Sequence, residues 1–227
     1  MAVSHRAFVR RHTRLQPVAG VPGIRLNLAP PDQTLQLWHD VQVATGDADT
    51  GLPYWAFAWG GGLALARYLA DHPETVAGRR VLDVASGSGL VAIAALLAGA
   101  ATATAVDIDP FAVAAIPLNA RANGVTPGVS RRDPLDDDLP DVDVVLVGDA
   151  CYDAALAARL LPWLQAVRGR GSVVLVGDPG RRFLPLDALV ELASYDVRTT
   201  SDLEDLALTR GSVYEPAGSP GGRVNAR

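Results

Sequence analysis

Apolar residues in this chain fall into two kinds of segment: short, nearly continuous runs, and longer stretches in which they recur every third or fourth position. The runs at 80–84, 102–107, 142–147 and 172–177 are rich in Val, Leu and Ala. They lack the strict alternation of a half-solvated strand, so they read as strands buried on both faces. Between them, 61–72, 89–98, 110–123 and 153–167 carry helical spacing. Leu63, Leu65, Ala66 and Leu69 make the apolar stripe of the first, Pro73 and Gly78 end it, and Pro110 opens the third. Pro162 predicts a distortion in the fourth. This order argues for an α/β fold with a mostly parallel sheet covered on both faces. Residues 186–193 are expected to form a short helix, and 195–199 with 208–214 a closing strand pair.

Upstream the pattern is weaker. Residues 7–15 suggest a short basic helix, and Pro17, Gly20, Pro22, Gly23, Pro30 and Pro31 then interrupt any regular element. Ile24, Leu26 and Leu28 alternate with Arg25 and Asn27, as in a short strand. Residues 1–35 therefore read as an N-terminal extension to a single domain over 36–215. The Pro- and Gly-rich residues 216–227 read as a disordered tail.

Composition narrows the function classes. The 227 residues, 49% hydrophobic, suffice for one core but not for two domains and a linker. A formal net charge of -5 gives no electrostatic footprint for a nucleic-acid partner. The sole cysteine, Cys151, cannot form a disulfide within the chain, which suits a reducing, cytoplasmic setting. Arg6, Arg10, Arg11 and Arg14 precede no apolar run, which argues against a secretory leader. The long uncharged stretch 90–106 is shorter than the roughly 20 residues of a membrane span, so a buried helix and strand are expected and no membrane partner. A monomer is expected.

The strongest local signal is the segment from Val81 to Ala92, in which a buried strand ends in a glycine-rich turn that opens a helix. Such a turn lets a ligand approach the backbone, and the helix start offers free N–H groups. Gly87-Ser-Gly89-Leu-Val-Ala92 fits the dinucleotide pattern, which alone does not separate a nicotinamide cofactor from S-adenosylmethionine. Asp83 tilts the choice, since an acid there suits the ammonium of a methionine moiety and opposes a pyrophosphate. Asp107, about 20 residues after the glycines and followed by Ile108, is placed to accept from two ribose hydroxyls under either choice. Asp109 is the better candidate for a helix cap. Asp133, in a loop at the carboxyl ends of the strands, is a candidate for an adenine amino group, with a solvated loop as the alternative. The Asp136–Asp138 run carries no metal-ligand spacing, so no metal is expected and a solvated acidic loop is the reading.

With these residues in view, the chain resembles the seven-β-strand, class I methyltransferases. The likeness lies in Asp83-Val-Ala-Ser-Gly-Ser-Gly followed by Asp107-Ile-Asp-Pro. More narrowly it resembles the electron transfer flavoprotein β-subunit lysine methyltransferase family, whose bacterial members are often described as predicted nicotinamide N-methylases. The narrower likeness rests on Pro53-Tyr-Trp-Ala-Phe-Ala-Trp59-Gly-Gly, Ala66-Arg-Tyr-Leu, Asn119, Gly148-Asp149-Ala-Cys-Tyr152-Asp153 and Gly177-Asp-Pro-Gly-Arg181. It runs from about residue 6 to residue 214. Departures are Ala85 for a first glycine of the turn, Gly60 and Leu63 for Pro and Gln, and Gly23 for an acid. The resemblance implies six parallel strands with one antiparallel, and S-adenosylmethionine as cofactor. It implies a binding set of Trp59, Gly61, Asp83, Ala85, Ser86, Gly87, Gly89, Asp107, Ile108, Asp133 and Asp149. Asp149 and Tyr152 would then face the methyl group and the acceptor.

On this reading a lysine acceptor, with a pKa of about 10.4 in water, must lose a proton before it attacks. Asp149 would bind and aim the nitrogen, with Tyr152 adding a ring face and a hydroxyl. A helix cap is the structural alternative for Asp149. Cys151 reads as a small filler rather than a nucleophile. Tyr54, Trp55 and Phe57 are an entrance wall or ordinary core, and Asp202-Leu-Glu-Asp205 a partner contact or a plain acidic loop. The leading expectation is a protein-lysine N-methyltransferase with a protein partner presenting a lysine, such as the electron transfer flavoprotein β subunit. Behind it stand N-methylation of a nicotinamide-like or other small amine, a NAD-binding oxidoreductase and a non-catalytic scaffold. The chain has no lysine, so it cannot label its own.

Overall fold

The structure, a computed structural model, describes residues 4–199 and 209–218. Its elements are α1 (His5–His12), β1 (Arg14–Pro17), β2 (Arg25–Leu28), α2 (Thr34–Thr45), α3 (Gly60–Asp71), β3 (Arg80–Val84), α4 (Leu90–Leu97), β4 (Thr102–Asp107), α5 (Pro110–Ala122), β5 (Gly128–Arg131), β6 (Val144–Gly148), α6 (Ala154–Gly169), β7 (Val173–Asp178), β8 (Leu189–Val197) and β9 (Thr209–Pro216).

The side-chain period of two sorts the continuous apolar runs onto two faces of one sheet. Val81, Val144, Leu146 and Leu175 pack on the face covered by α3, α4 and α5. Leu82, Val84, Val145, Val147, Val174 and Val176 pack on the other, against α6 and the loop residues Leu135, Leu139 and Leu184. Burial on both sides is why no alternation was visible in the sequence. The sheet has seven strands in the order β5-β4-β3-β6-β7-β9-β8. All are parallel except β9, which runs antiparallel to β7 and β8. The strand order reverses between β3 and β6, which opens a crevice at their carboxyl ends, where ligands of such sheets bind.

A third cluster joins α1, α2 and the short turn Tyr54–Ala56 to α5 through Phe8, Leu37, Val41, Trp55, Phe57 and Phe111. The hairpin β1–β2 is strapped to α5 as well. Asn123 exchanges hydrogen bonds with the Arg25 backbone, and Asn119 accepts from the Asn27 backbone N–H at 2.7 Å.

Several expectations need correction. Residues 186–193 are not a helix: a single turn at Leu186–Ala188 leads into the edge strand β8. A register shift between Glu191 and Ala193 breaks the strand's alternation there, so its apolar spacing imitates a helix. The N-terminal helix stops at His12, and Leu15 lies in β1. Helix α2 and strand β5 went unrecognised. The first buries only Thr34, Leu37 and Val41, and the second is a four-residue edge strand. Pro216, expected to open a disordered tail, instead pairs with Leu189 in β9. Residues 219–227 and the Asp202–Asp205 segment lie outside the described residues. Helix α6 runs through Pro162 without a break.

Candidate active site

The crevice holds a cavity of about 740 Å³, lined by the carboxyl ends of β3, β4 and β6, the turn around Tyr54 and the start of α3. That size lies within the usual range for small-molecule sites.

On one wall is the turn after β3. Ala85, Gly87 and Gly89 all have positive φ, at 53°, 54° and 82°. Ala85 thus keeps the left-handed geometry that a glycine would take there without strain. Asp83, 1% exposed, holds this turn from beneath: its Oδ2 accepts from Ser86 Oγ at 2.5 Å and from the Ala92 N–H at 3.0 Å. Burial pushes its pKa up to about 7 against the pull of those two bonds, and the neighbouring Asp107 adds to the rise. Asp107 braces the turn from the next strand, accepting from the Gly87 N–H at 2.8 Å and the Asp109 N–H at 2.9 Å. The Ile108 N–H also faces this carboxylate, which has about four acceptor positions, so room remains for a ligand hydroxyl. Burial raises its pKa as well. Asp109 caps α5 through the Phe111 N–H at 2.7 Å, as expected of it. Ile108, 66% exposed, and Asp133 also line the cavity. Asp133 accepts from the Leu135 N–H at 3.0 Å and pairs with Arg159 at 3.0 Å.

On the opposite wall is Asp149, 9% exposed and in the left-handed region at φ 54°. Its N–H donates to Gly177 O at 2.9 Å, so the strained residue is pinned to the neighbouring strand. Its Oδ2 accepts from the Gly62 N–H at 2.8 Å, and its Oδ1 from Arg181 Nη2 at 2.9 Å and Nε at 3.2 Å. Burial lifts its pKa to about 6; Arg181 opposes the rise and Asp178 adds to it. The cap of α6 is Asp153, which accepts from the Leu156 N–H at 2.8 Å, so the cap alternative for Asp149 falls. Tyr152 stacks on Tyr54 with centroids 4.6 Å apart, and Tyr54 leans on Trp59 at 5.5 Å. Tyr54 is therefore wall, while Trp55 and Phe57, each 1% exposed, are core side chains whose edges reach the cavity. Cys151 is buried, its thiol pushed up to about 12 by desolvation, so it is no nucleophile.

The structure thus brings Trp59, Asp83, Ala85, Ser86, Gly87, Asp107, Ile108, Asp133, Asp149 and Tyr152 to one cavity. Gly61 and Gly89 are not on its lining. Gly61 lies against Gly177, where a Cβ would meet the carbonyl oxygen at 2.1 Å, and Gly62 faces the cavity instead. Gly89 sits against Ile116. Sequence reasoning gave Arg181 no role, although the Gly-Asp-Pro-Gly-Arg segment carried the signal. It also missed the acidic rim at Asp47 and Asp49. Asp136 and Asp137 pair with Arg159 and Arg132 at the surface, as a solvated loop would.

A glycine turn, an acid at the end of the next strand and a buried acid after the fourth parallel strand, on a seven-stranded sheet with one antiparallel strand, define a methyltransferase of the seven-strand class. Comparisons with known proteins agree. The family profile of ribosomal protein L11 methyltransferase matches residues 67–148. A Pyrococcus horikoshii protein described as a candidate RNA methyltransferase shares the fold, with a TM-score of 0.56, 14% identity, and coverage of 80% of this chain and 98% of that one. The electron transfer flavoprotein beta subunit lysine methyltransferase of Xenopus laevis is 36% identical over 94% of this chain and 87% of its own length. The human protein of the same name is 39% identical over 92% and 80%. The chain belongs to the electron transfer flavoprotein beta subunit lysine methyltransferase family. Membership sets aside the oxidoreductase reading. Among the described residues, no helix is long and apolar enough to cross a membrane.

Proposed function

We propose that this protein transfers a methyl group from S-adenosylmethionine to the Nζ of a lysine on the electron transfer flavoprotein β subunit or a similar protein. The observation that carries the reading is Asp149, a buried carboxylate lining the same cavity as the glycine turn and the Tyr54–Tyr152 stack.

The donor set fits the cofactor. On this reading Asp107 accepts from the ribose hydroxyls, Ile108 offers an apolar face to the adenine, and Asp133 accepts from the adenine amino group. Asp83 shapes the turn more than it touches the ligand, since its Oδ2 already serves Ser86 and Ala92. Its negative field still favours the methionine ammonium over a phosphate. When bound, S-adenosylmethionine supplies a methyl carbon on a sulfonium, which passes to nitrogen as the S–C bond breaks and leaves a neutral thioether.

The chain's own residues position the acceptor. Asp47 and Asp49 make an acidic rim that draws in a cationic side chain. The stacked Tyr54 and Tyr152 rings give the cavity an aromatic wall against which the apolar stem of a lysine can pack. Asp149 accepts a hydrogen bond from the incoming nitrogen and aims its lone pair, while the aromatic wall excludes water. The Tyr152 hydroxyl, pushed up to about 12 chiefly by burial, stays protonated and serves as a hydrogen-bonding group, not a base.

The test is to incubate the protein with radiolabelled S-adenosylmethionine and an extract of its source cells, then to separate proteins from small molecules. Label in a discrete protein band is expected. Label confined to the small-molecule fraction would make the protein a metabolite N-methyltransferase.

A further inference from the structure

Asp149 already holds a cation of its own chain. Arg181 presents Nε and Nη2 to one carboxylate oxygen, and its guanidinium lies 5.5 Å from the centroid of the Trp59 ring. The arrangement is built in from the backbone. Asp178, at the end of β7, accepts from the N–H groups of Gly180 at 2.8 Å and Arg181 at 2.6 Å. Gly180 adopts a φ of 91°, and the turn so formed aims Arg181 at Asp149. Around the Asp149 carboxylate stand Arg181 and Asp178 from β7 and the turn after it, Cys151 from the turn after β6, and the Gly62 N–H from α3. Asp178 and burial both disfavour the ionised form of Asp149, and Arg181 opposes them.

The chemistry of the acceptor explains why such a pair is useful. A buried carboxylate without a counter-charge would bind a lysine ammonium tightly and hold it protonated, which removes the nucleophilic lone pair. A carboxylate whose charge a guanidinium already offsets can still accept an N–H hydrogen bond through its remaining lone pairs. It then favours the ammonium over the amine much less. We propose that Arg181 is a positioning residue that keeps Asp149 ionised and ion-paired, so that the site receives the acceptor lysine as the neutral amine. The proposal rests on the lysine-methyltransferase reading. The nitrogen gives its proton to water, its lone pair forms the N–C bond, and the S–C pair stays on sulfur.

The test uses Arg181→Gln and Arg181→Lys in the full chain, with Arg181→Met as a second neutral variant that keeps the stem over Trp59. The first readout needs neither substrate nor cofactor: the Asp149 carboxyl is titrated by carbon-13 NMR, assigned by its loss in Asp149→Asn. Removal of an adjacent guanidinium is expected to raise the midpoint by about 1–3 pH units, and Arg181→Lys to restore most of it. The second readout is the pH dependence of kcat/KM on the protein acceptor. Its ascending limb is expected to move to higher pH in the neutral variants, with at least about a tenfold loss below the limb and unchanged affinity for S-adenosylmethionine. An unmoved Asp149 midpoint, or a Lys variant that behaves like the Gln variant, overturns the proposal. A parent protein that methylates no lysine refutes the functional reading, and the NMR midpoint still decides the role of Arg181.

Discussion

Substitution of Gly177 by Ala tests how the fold delivers Asp149 to the cavity. A Cβ at Gly177 would lie 2.2 Å from Gly61 O, 2.8 Å from Gly61 C and 2.7 Å from Leu65 Cγ. The obstruction is mutual, since a Cβ at Gly61 would stand 2.1 Å from Gly177 O. Backbone faces backbone, so no flexible side chain can yield, and α3 must move away from the sheet by roughly 1 Å to reach ordinary contact. Overpacking of this kind costs about 1–3 kcal/mol or more, against a gain below about 1 kcal/mol from a stiffer unfolded chain. A net loss of about 1–3 kcal/mol is expected, which for a chain of this size lowers Tm by about 2–12 °C. Displacing α3 also weakens the Gly62 hydrogen bond to Asp149, so methyl transfer should fall further than stability at a temperature where the variant is folded. Urea unfolding measures the first effect and a rate assay the second. The control is Gly169→Ala at the end of α6, where nothing lies within 4 Å; a change of less than about 1 kcal/mol, towards greater stability, is expected. If Gly177→Ala unfolds within about 0.5 kcal/mol of the parent, the close approach of α3 to β7 is not the constraint described.

Other substitutions probe separate links. Ala85→Gly relieves a left-handed residue at a strain of about 1–2 kcal/mol and loses roughly 0.5–1 kcal/mol to chain entropy, so a modest rise in Tm is expected; a fall would mean that Ala85 packs favourably. Asn119→Leu removes a buried amide that joins Asn27 of the hairpin to the Ser88 carbonyl of the glycine turn, and a loss of about 2–4 kcal/mol with weaker cofactor binding is expected by denaturation and calorimetry; unaltered cofactor affinity would show that the hairpin does not brace the turn. Asp83, at about 7, and Asp109 and Asp149, at about 6, all titrate above the ordinary carboxylate range. They bind protons in the folded state that the unfolded chain has released, so the stability of the cofactor-free protein should fall as pH rises from about 4 through about 7. Urea midpoints at about pH 5 and pH 7.5 check the sign, and Asp83→Asn should flatten the difference; a midpoint that rises with pH contradicts the burial of these acids.

The sheet was legible because its central strands are buried on both faces, so Val144–Gly148 and Val173–Asp178 appear as apolar runs whatever their neighbours do. The glycine-turn wall of the cavity was legible because a strand, a glycine turn and a helix are contiguous, and local geometry suffices to place Asp83 and Gly87. The opposite wall, around Asp149, is assembled from distant segments. Asp149 stood out through its resemblance to a known pattern, but its partners come from α3, 87 residues before it, and from the turn after β7, 32 residues after it. Nothing in the local pattern marks such a convergence. Edge elements failed for a related reason: β5 and β8 have solvent or a bulge where alternation should be, and α2 presents only a narrow buried stripe. Gly46, with its φ of 71°, did mark the end of α2 and could have prompted a helix before it.

The most direct measurement is methylation of purified electron transfer flavoprotein β subunit with radiolabelled S-adenosylmethionine, with the modified residue mapped by mass spectrometry for the parent protein and for Asp149→Asn. The account predicts label on lysine, reduced by at least about 100-fold in the variant while its affinity for S-adenosylmethionine persists. Equal rates for parent and variant, or label that reaches small amines and never the protein, would contradict it.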